Sequence, residues 1–101
     1  MEERDLIPKD RRRYIVLVIY DIVDNKRRTK MVKCLERYAV RVQKSCFEGF
    51  LSTEQYERMG REASTLIDES EDSLRIYVLR SHAHVVSWGR GERKSDDVII
   101  Y

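Results

Sequence analysis

The chain of 101 residues is long enough for one domain with a single hydrophobic core. Its hydrophobic fraction of 42% is too high for a disordered chain, and its longest apolar run, residues 14–20, is too short to cross a bilayer. The net charge is only +2, yet eight basic residues stand against one acid between residues 25 and 47, and seven acids against two basic residues between 52 and 72. This separation predicts a polyanionic partner on one surface.

The beginning of the chain is charged, contains the only proline and lacks periodicity, so we interpret residues 1–13 as a flexible arm and residues 14–101 as a single domain. It contains no apolar stretch that would serve as a signal sequence, and we therefore expect a cytoplasmic protein with no membrane partner. Tyr14 to Ile22 is β-branched and aromatic, which predicts a central strand buried on both faces.

Asp21 is the most informative position, because it lies at the carboxyl end of this apolar strand. A carboxylate beside buried side chains must be paired or bind a cation. With Asp24 it would form a site for a hard cation such as Mg²⁺. Two structural alternatives stay open for Asp21, namely a cap on the following helix and an ion pair with Arg28.

The next segment predicts an amphipathic helix with Asp24 as its N-cap. Met31, Leu35 and Tyr38 recur at helical spacing and would pack on the sheet. The opposite side would carry a basic row that contacts nucleic-acid phosphates without reading sequence: Lys26, Lys30, Lys33 and Arg37. A solvated helix face is the alternative, but the near-absence of acids in this segment favours the row.

The second half of the chain continues the alternation of strands and helices. Residues 40–51 form either one bent strand or a tight hairpin, with Gly49 marking a bulge or bend. Ser52 and Gln55 form a capping box that opens a second helix, which ends at an acidic loop. Three strands are predicted after it, at residues 73–80, 84–88 and 98–101.

This order predicts a mixed α/β (α+β) domain, a ferredoxin-like βαββαβ sandwich with an extra C-terminal strand. Right-handed crossovers place both helices on one face of the sheet. The other face would then expose the apolar side chains of the first strand, so a homodimer is expected.

Other catalytic and metal-binding arrangements are weakly supported. No Ser/His/Asp order, P-loop or Gly-rich dinucleotide motif occurs. Cys34 and Cys46 are interpreted as small hydrophobic residues, and His82 and His84 lack a third ligand nearby. An enzyme of this kind would therefore have a sparse site, or one built across a two-fold axis from two copies of Asp21.

Three segments together resemble the Cas-two family of CRISPR-associated adaptation endoribonucleases: Tyr20 to Lys30, Arg41 to Gly49 and Asp72 to Leu79. The resemblance covers roughly residues 14–101 and implies a ferredoxin-like homodimer in which strand-end aspartates of the two protomers face each other and hold Mg²⁺. It implies that Asp21 is the catalytic metal ligand. Supporting residues implied beside it are Tyr20, Arg28, Lys30, Arg41, Ser45 and Phe47.

The resemblance implies two functions. One is metal-dependent cleavage of RNA, and in some members of double-stranded DNA. The other is structural, because the dimer bridges copies of the CRISPR integrase, the Cas-one partner, and holds DNA during spacer acquisition. The residues themselves favour the second function, since the basic row is extensive and the catalytic groups are few. The remaining alternative is a non-catalytic ferredoxin-like module that binds RNA or a regulatory small molecule.

Overall fold

The computed structural model describes residues 12–80, 86, 88 and 89. In this part of the chain the elements are β1 (Tyr14–Asp21), α1 (Asn25–Leu35), β2 (Val40–Gln43), β3 (Cys46–Leu51), α2 (Thr53–Ser64) and β4 (Ser73–Leu79). The order confirms the ferredoxin-like prediction. The histidines at 82 and 84, the strand predicted at 98–101 and residues 1–11 of the arm lie outside the described residues. Of the strand predicted at 84–88, only Val86 and Trp88 are described, and neither lies in a strand.

The sheet is antiparallel with the strand order β2-β3-β1-β4, so β1 is central as predicted. Residues 40–51 form a hairpin that turns at residues 44–45. The irregularity in its pairing lies between Arg41 and Gln43 and not at Gly49. Gly49 instead allows a close approach, because a Cβ there would lie 3.1 Å from the Tyr38 carbonyl oxygen and 3.2 Å from the Ala39 Cβ.

The core lies between the sheet and the two helices. Alternate β1 residues point into it, and they pack with buried side chains from α1, β3 and α2: Val16, Val18, Tyr20, Met31, Leu35, Phe47, Met59 and Ala63. Cys34 is buried as expected, Cys46 is half-buried, and both are free thiols. Burial of this apolar surface is the main force that holds the helices on the sheet.

The other face of the sheet is only partly covered within one chain. The prediction that β1 is buried on both faces therefore stays a prediction about the homodimer. Ile15 is buried, but Ile19 is 40% exposed. Because directly paired residues of antiparallel strands point to the same side, the neighbours of β1 continue this apolar surface. We call it the open face and define it by Ile19, Phe50, Tyr77 and Leu79, each 40–45% exposed.

Both helices begin as predicted, but α1 ends earlier. Asp24 caps α1 by accepting a hydrogen bond from the backbone N–H of Arg27 at 2.9 Å, and Ser52 with Gln55 forms the capping box of α2. The apolar spacing that predicted a longer α1 arises because Tyr38 and Ala39 also pack on the core, although they follow the helix. Arg37 therefore lies in the turn after α1 and not on the helix.

Candidate active site and nucleic-acid interface

Asp21 is the last residue of β1 and lies exposed at the strand end, on the same side of the sheet as the open face. Among residues 12–80, 86, 88 and 89, its carboxylate has no hydrogen-bond or ion-pair partner. Neither structural alternative is realised, since Asp24 provides the helix cap and the guanidinium of Arg28 donates to the Ile22 carbonyl oxygen at 2.9 Å. The carboxylate oxygens of Asp21 are therefore available as hard ligands.

One side of this strand end is braced by the β2–β3 hairpin. The hydroxyl of Tyr20 and the guanidinium of Arg41 both donate to the carbonyl oxygen of Lys44, at 3.2 Å and 2.7 Å. The backbone N–H of Tyr20 donates to the Ser45 carbonyl oxygen at 3.1 Å, and the Tyr20 ring lies 6.3 Å from that of Phe47. The structure thus brings these predicted site residues together, where they fix the hairpin turn beside Asp21.

The side chain of Tyr20 is almost fully buried. Burial raises the pKa of its hydroxyl, and the positive charges of Arg41 and Arg28 oppose the rise only in part. Tyr20 is therefore a neutral hydrogen-bond donor near neutral pH. Phe47 is fully buried, so its place beside the site is one of packing.

The other side of the strand end is braced by a buried aspartate that sequence reasoning missed. Asp72 precedes β4, and its side chain is fully buried. It accepts hydrogen bonds from the backbone N–H of Val23 at 3.0 Å, from that of Asp68 at 2.8 Å and from Nε of Arg27 at 2.8 Å. The pKa of Asp72 falls to about 2, chiefly because the Arg27 side chain stabilises the carboxylate. Sequence analysis gave Asp72 no role in the site, and its pairing with Arg27 has no local signal.

Mg²⁺ was expected from the pair Asp21 and Asp24. One oxygen of Asp24 caps α1, and the pKa of Asp24 is lowered mainly by the hydrogen bond from the Arg27 backbone N–H. No cluster of three or more His, Cys, Asp or Glu side chains suited to a metal occurs among the described residues. A Mg²⁺ ion at this strand end would therefore have one carboxylate ligand from each chain, Asp21, and would keep most of its waters.

The predicted basic row is present on α1 in a shortened form. Lys26, Lys30 and Lys33 are exposed at helical spacing, and none of them has an ion-pair partner within 4.0 Å in the described part of the chain. We call these three residues the lysine row. Arg37, the predicted fourth member, instead forms an ion pair with Glu62 of α2 at 2.7 Å.

Some side chains of the acidic segment therefore form ion pairs with side chains of the basic segment. Arg27 pairs with Asp72 and Glu71, and Arg37 pairs with Glu62, so the fold neutralises two of the predicted basic side chains. The hydroxyl of Tyr38 also donates to Glu62 at 2.7 Å, which is the main reason that the pKa of Glu62 is lowered. The lysine row remains on the helical layer, and Asp21 lies toward the opposite face of the sheet.

Comparisons with known proteins agree with this architecture. The sequence model of the family described as CRISPR associated protein Cas2, the Cas-two family of the sequence resemblance, matches residues 14–85. The chain is 41% identical over 86 residues to the CRISPR-associated endoribonuclease Cas2 of Thermotoga maritima, covering 85% of this chain and 98% of that relative.

Two solved structures share the fold. A hypothetical protein from Thermus thermophilus superposes with a TM-score of 0.66 at 38% identity, over 76% of this chain and 94% of the other. The Cas2 protein of Streptococcus pyogenes superposes with a TM-score of 0.60 at 32% identity, over 65% of this chain and 86% of the other. In the described part of this chain, no helix is long and apolar enough to span a membrane.

Proposed function

This chain belongs to the CRISPR-associated Cas2 family, and we propose that it is a homodimeric, Mg²⁺-dependent endonuclease that binds RNA or double-stranded DNA during CRISPR adaptation. The observation that carries the proposal is the state of Asp21. Its carboxylate is exposed at the end of a buried strand, has no partner among the described residues, and stands between two braced segments. The names of relatives, such as endoribonuclease Cas2, support a nuclease.

In the proposed cleavage reaction, the residues of this chain would have separate roles. Asp21 would hold the ion, while Tyr20 and Arg41 keep the hairpin turn in place and Arg28 fixes the carbonyl of Ile22. Mg²⁺, when bound, supplies the charge that polarises a phosphoryl oxygen and acidifies a coordinated water. One carboxylate is few for such a site, so we propose that Asp21 of a second protomer completes it.

The second proposed function is structural, and the lysine row carries it. Three exposed lysines on one helical face supply phosphate contacts that do not read sequence. We propose that the dimer uses them to hold spacer DNA while it bridges two copies of the CRISPR integrase. Because the lysine row and Asp21 lie on different sides of the sheet, binding and cleavage should be separable by mutation.

The proposed nuclease is tested by comparing wild type with Asp21→Asn and Asp24→Asn on RNA and duplex DNA, with Mg²⁺ and with a chelator. Asp21→Asn should lose about a hundredfold or more of the cleavage rate, because a metal's stabilisation of the transition state is worth several kcal/mol. Asp24→Asn removes the same charge three residues away, but asparagine caps a helix as well as aspartate does, so cleavage should persist.

Equal rates for wild type and Asp21→Asn would overturn the assignment of Asp21. Loss of cleavage in Asp24→Asn alone would move the metal ligand to Asp24. Duplex binding, measured on the same samples, should persist in Asp21→Asn, since the variant removes a negative charge and leaves the lysine row unchanged.

A further inference from the structure

Residues 22–24 connect β1 to α1 and directly follow Asp21. A side-chain hydrogen bond fixes each of these three residues. Arg28 donates to the carbonyl of Ile22, Asp72 accepts from the N–H of Val23, and the Asp24 carboxylate caps α1. Asp21 itself has no such contact in the described part of the chain. The position of its carboxylate is therefore set by the backbone on either side of it.

Asp72 is the side chain that reaches both sides of Asp21. It binds the N–H of Val23, two residues after Asp21, and it directly precedes Ser73, the residue of β4 that pairs with Asp21. Arg27 ties it to the first turn of α1 through Nε at 2.8 Å and Nη2 at 3.3 Å. One buried carboxylate thus joins β4, the β1–α1 connection and the α2–β4 loop.

Such an arrangement is more rigid than an exposed ion pair. The Asp72 side chain is fully buried and accepts four donor contacts, so moving it would leave four partly buried donors without this partner. The ion pair of Arg37 with Glu62 has similar chemistry at the other end of α1, but both side chains are substantially exposed.

We propose that Asp72, held by Arg27, is a positioning residue that fixes the backbone around Asp21 and thereby presents its carboxylate to a divalent cation. The inference rests on the proposed role of Asp21 as the metal ligand. Residues that orient a metal ligand without touching the metal commonly change metal affinity by about 10- to 100-fold when they are substituted.

The test compares Asp72→Asn and Arg27→Gln with Glu62→Gln, which breaks the exposed pair at the other end of α1. Hydrogen exchange of the Val23 amide reports the backbone contact, and an NMR titration of the Asp21 carboxyl carbon with Mg²⁺ reports the affinity. Asp72→Asn and Arg27→Gln should speed exchange at Val23 and raise the half-saturating Mg²⁺ concentration by about tenfold. Glu62→Gln should change neither. Arg27→Gln removes the half-buried partner and leaves Asp72 in place, so it keeps the test decisive if Asp72→Asn does not fold.

The outcomes separate the two claims. Unchanged Val23 exchange and Mg²⁺ affinity in folded Asp72→Asn or Arg27→Gln, or a shift of equal size in Glu62→Gln, would overturn the positioning role. If the wild-type Asp21 carboxyl signal does not respond to Mg²⁺, the proposed function fails, and with it the positioning role toward a cation, even where Val23 exchange follows Asp72.

Discussion

Three aspartates with identical side chains have different roles because their surroundings differ: Asp21, Asp24 and Asp72. Asp24 accepts a backbone hydrogen bond at the start of α1, Asp72 is buried against Arg27, and Asp21 is exposed without a partner in the described part of the chain. Of these three carboxylates, only that of Asp21 has both oxygens available to a ligand among the described residues. The chemistry of the site therefore depends on which carboxylates already accept hydrogen bonds or form ion pairs within the fold.

The lowered pKa of Asp72 predicts a stability difference that depends on pH. The folded-state pKa, about 2, lies below the unfolded value of about 3.9. The stabilisation by ionised Asp72 is therefore complete above about pH 5 and is lost as pH falls toward 2. Urea unfolding should show Asp72→Asn less stable than wild type at pH 7, and the gap should shrink at pH 2.5. A gap of constant size across this range would contradict a role for the ionised form.

At the scale of residues, the sequence predicted contacts between neighbours along the chain, but it did not predict contacts between residues far apart in sequence. The Asp24 cap and the Ser52–Gln55 capping box are local, and the sequence predicted both. The contacts of Asp72 with Arg27 and Val23 join residues 45 and 49 positions apart, so they depend on strand pairing that the sequence does not display. The same holds for Arg37, which α1 periodicity assigned to the basic row and which Glu62, 25 positions away, holds instead.

At the scale of elements, hydrophobic periodicity predicted the type and order of the helices and strands in residues 14–80, except for the number of strands in residues 40–51, and it was less reliable at their ends. Tyr38 and Ala39 extended the apolar spacing of α1 because they contact the core, yet their amides bond to the carbonyl of Leu35 in the closing turn. Whether residues 40–51 formed one strand or two was open, because a two-residue turn at Lys44 and Ser45 leaves little mark on the pattern.

The lysine row should dominate non-specific duplex binding. Lys30→Glu with Lys33→Glu should weaken binding and reduce the slope of log affinity against log salt by about two, one for each lost phosphate contact. The control is Arg58→Glu with Arg61→Glu, which makes the same change of charge on exposed residues of α2. Fluorescence anisotropy with a labelled duplex at several salt concentrations measures both quantities. An equal loss in both double variants would indicate an effect of net charge and contradict a specific role for the row.

Two glycines should respond to alanine with opposite signs. Gly49→Ala should destabilise the protein by about 1–3 kcal/mol, because the added Cβ meets the carbonyl of Tyr38 and the Cβ of Ala39, neither of which moves without the backbone. Gly60→Ala should stabilise it by about 0.5–1 kcal/mol, since Gly60 is inside α2 and the new Cβ would lie 3.5 Å from Ile76 Cδ1. Chemical unfolding of the two variants provides the comparison, and a stabilised Gly49→Ala would contradict the close packing of the hairpin.

At the scale of the whole molecule, the open face is the feature that one chain leaves unexplained. Its four apolar side chains lie together on adjacent strands, at the same side of the sheet as Asp21. We propose that this surface is an interface, because adjacent exposed apolar side chains are typical of interaction sites. A second copy packed there would both cover the surface and bring a second Asp21 toward the first.

Disruption of the open face should therefore produce a monomer. Tyr77→Asp places a charge among Ile19, Phe50 and Leu79, whereas Ser64→Asp adds the same charge on exposed α2. Light scattering at micromolar concentration should give a dimer for wild type and Ser64→Asp and a monomer for Tyr77→Asp. A dimeric Tyr77→Asp would place the interface elsewhere.

The central claim is that two chains share one metal site through Asp21, and the number of ions bound per chain tests it most directly. Isothermal titration of the purified protein with Mn²⁺, used as a tighter-binding substitute for Mg²⁺, should give one ion per two chains and no binding in Asp21→Asn. The monomeric Tyr77→Asp should bind far more weakly, because it offers one carboxylate. One ion per chain, or a wild-type isotherm from Asp21→Asn, would contradict a site shared between two copies.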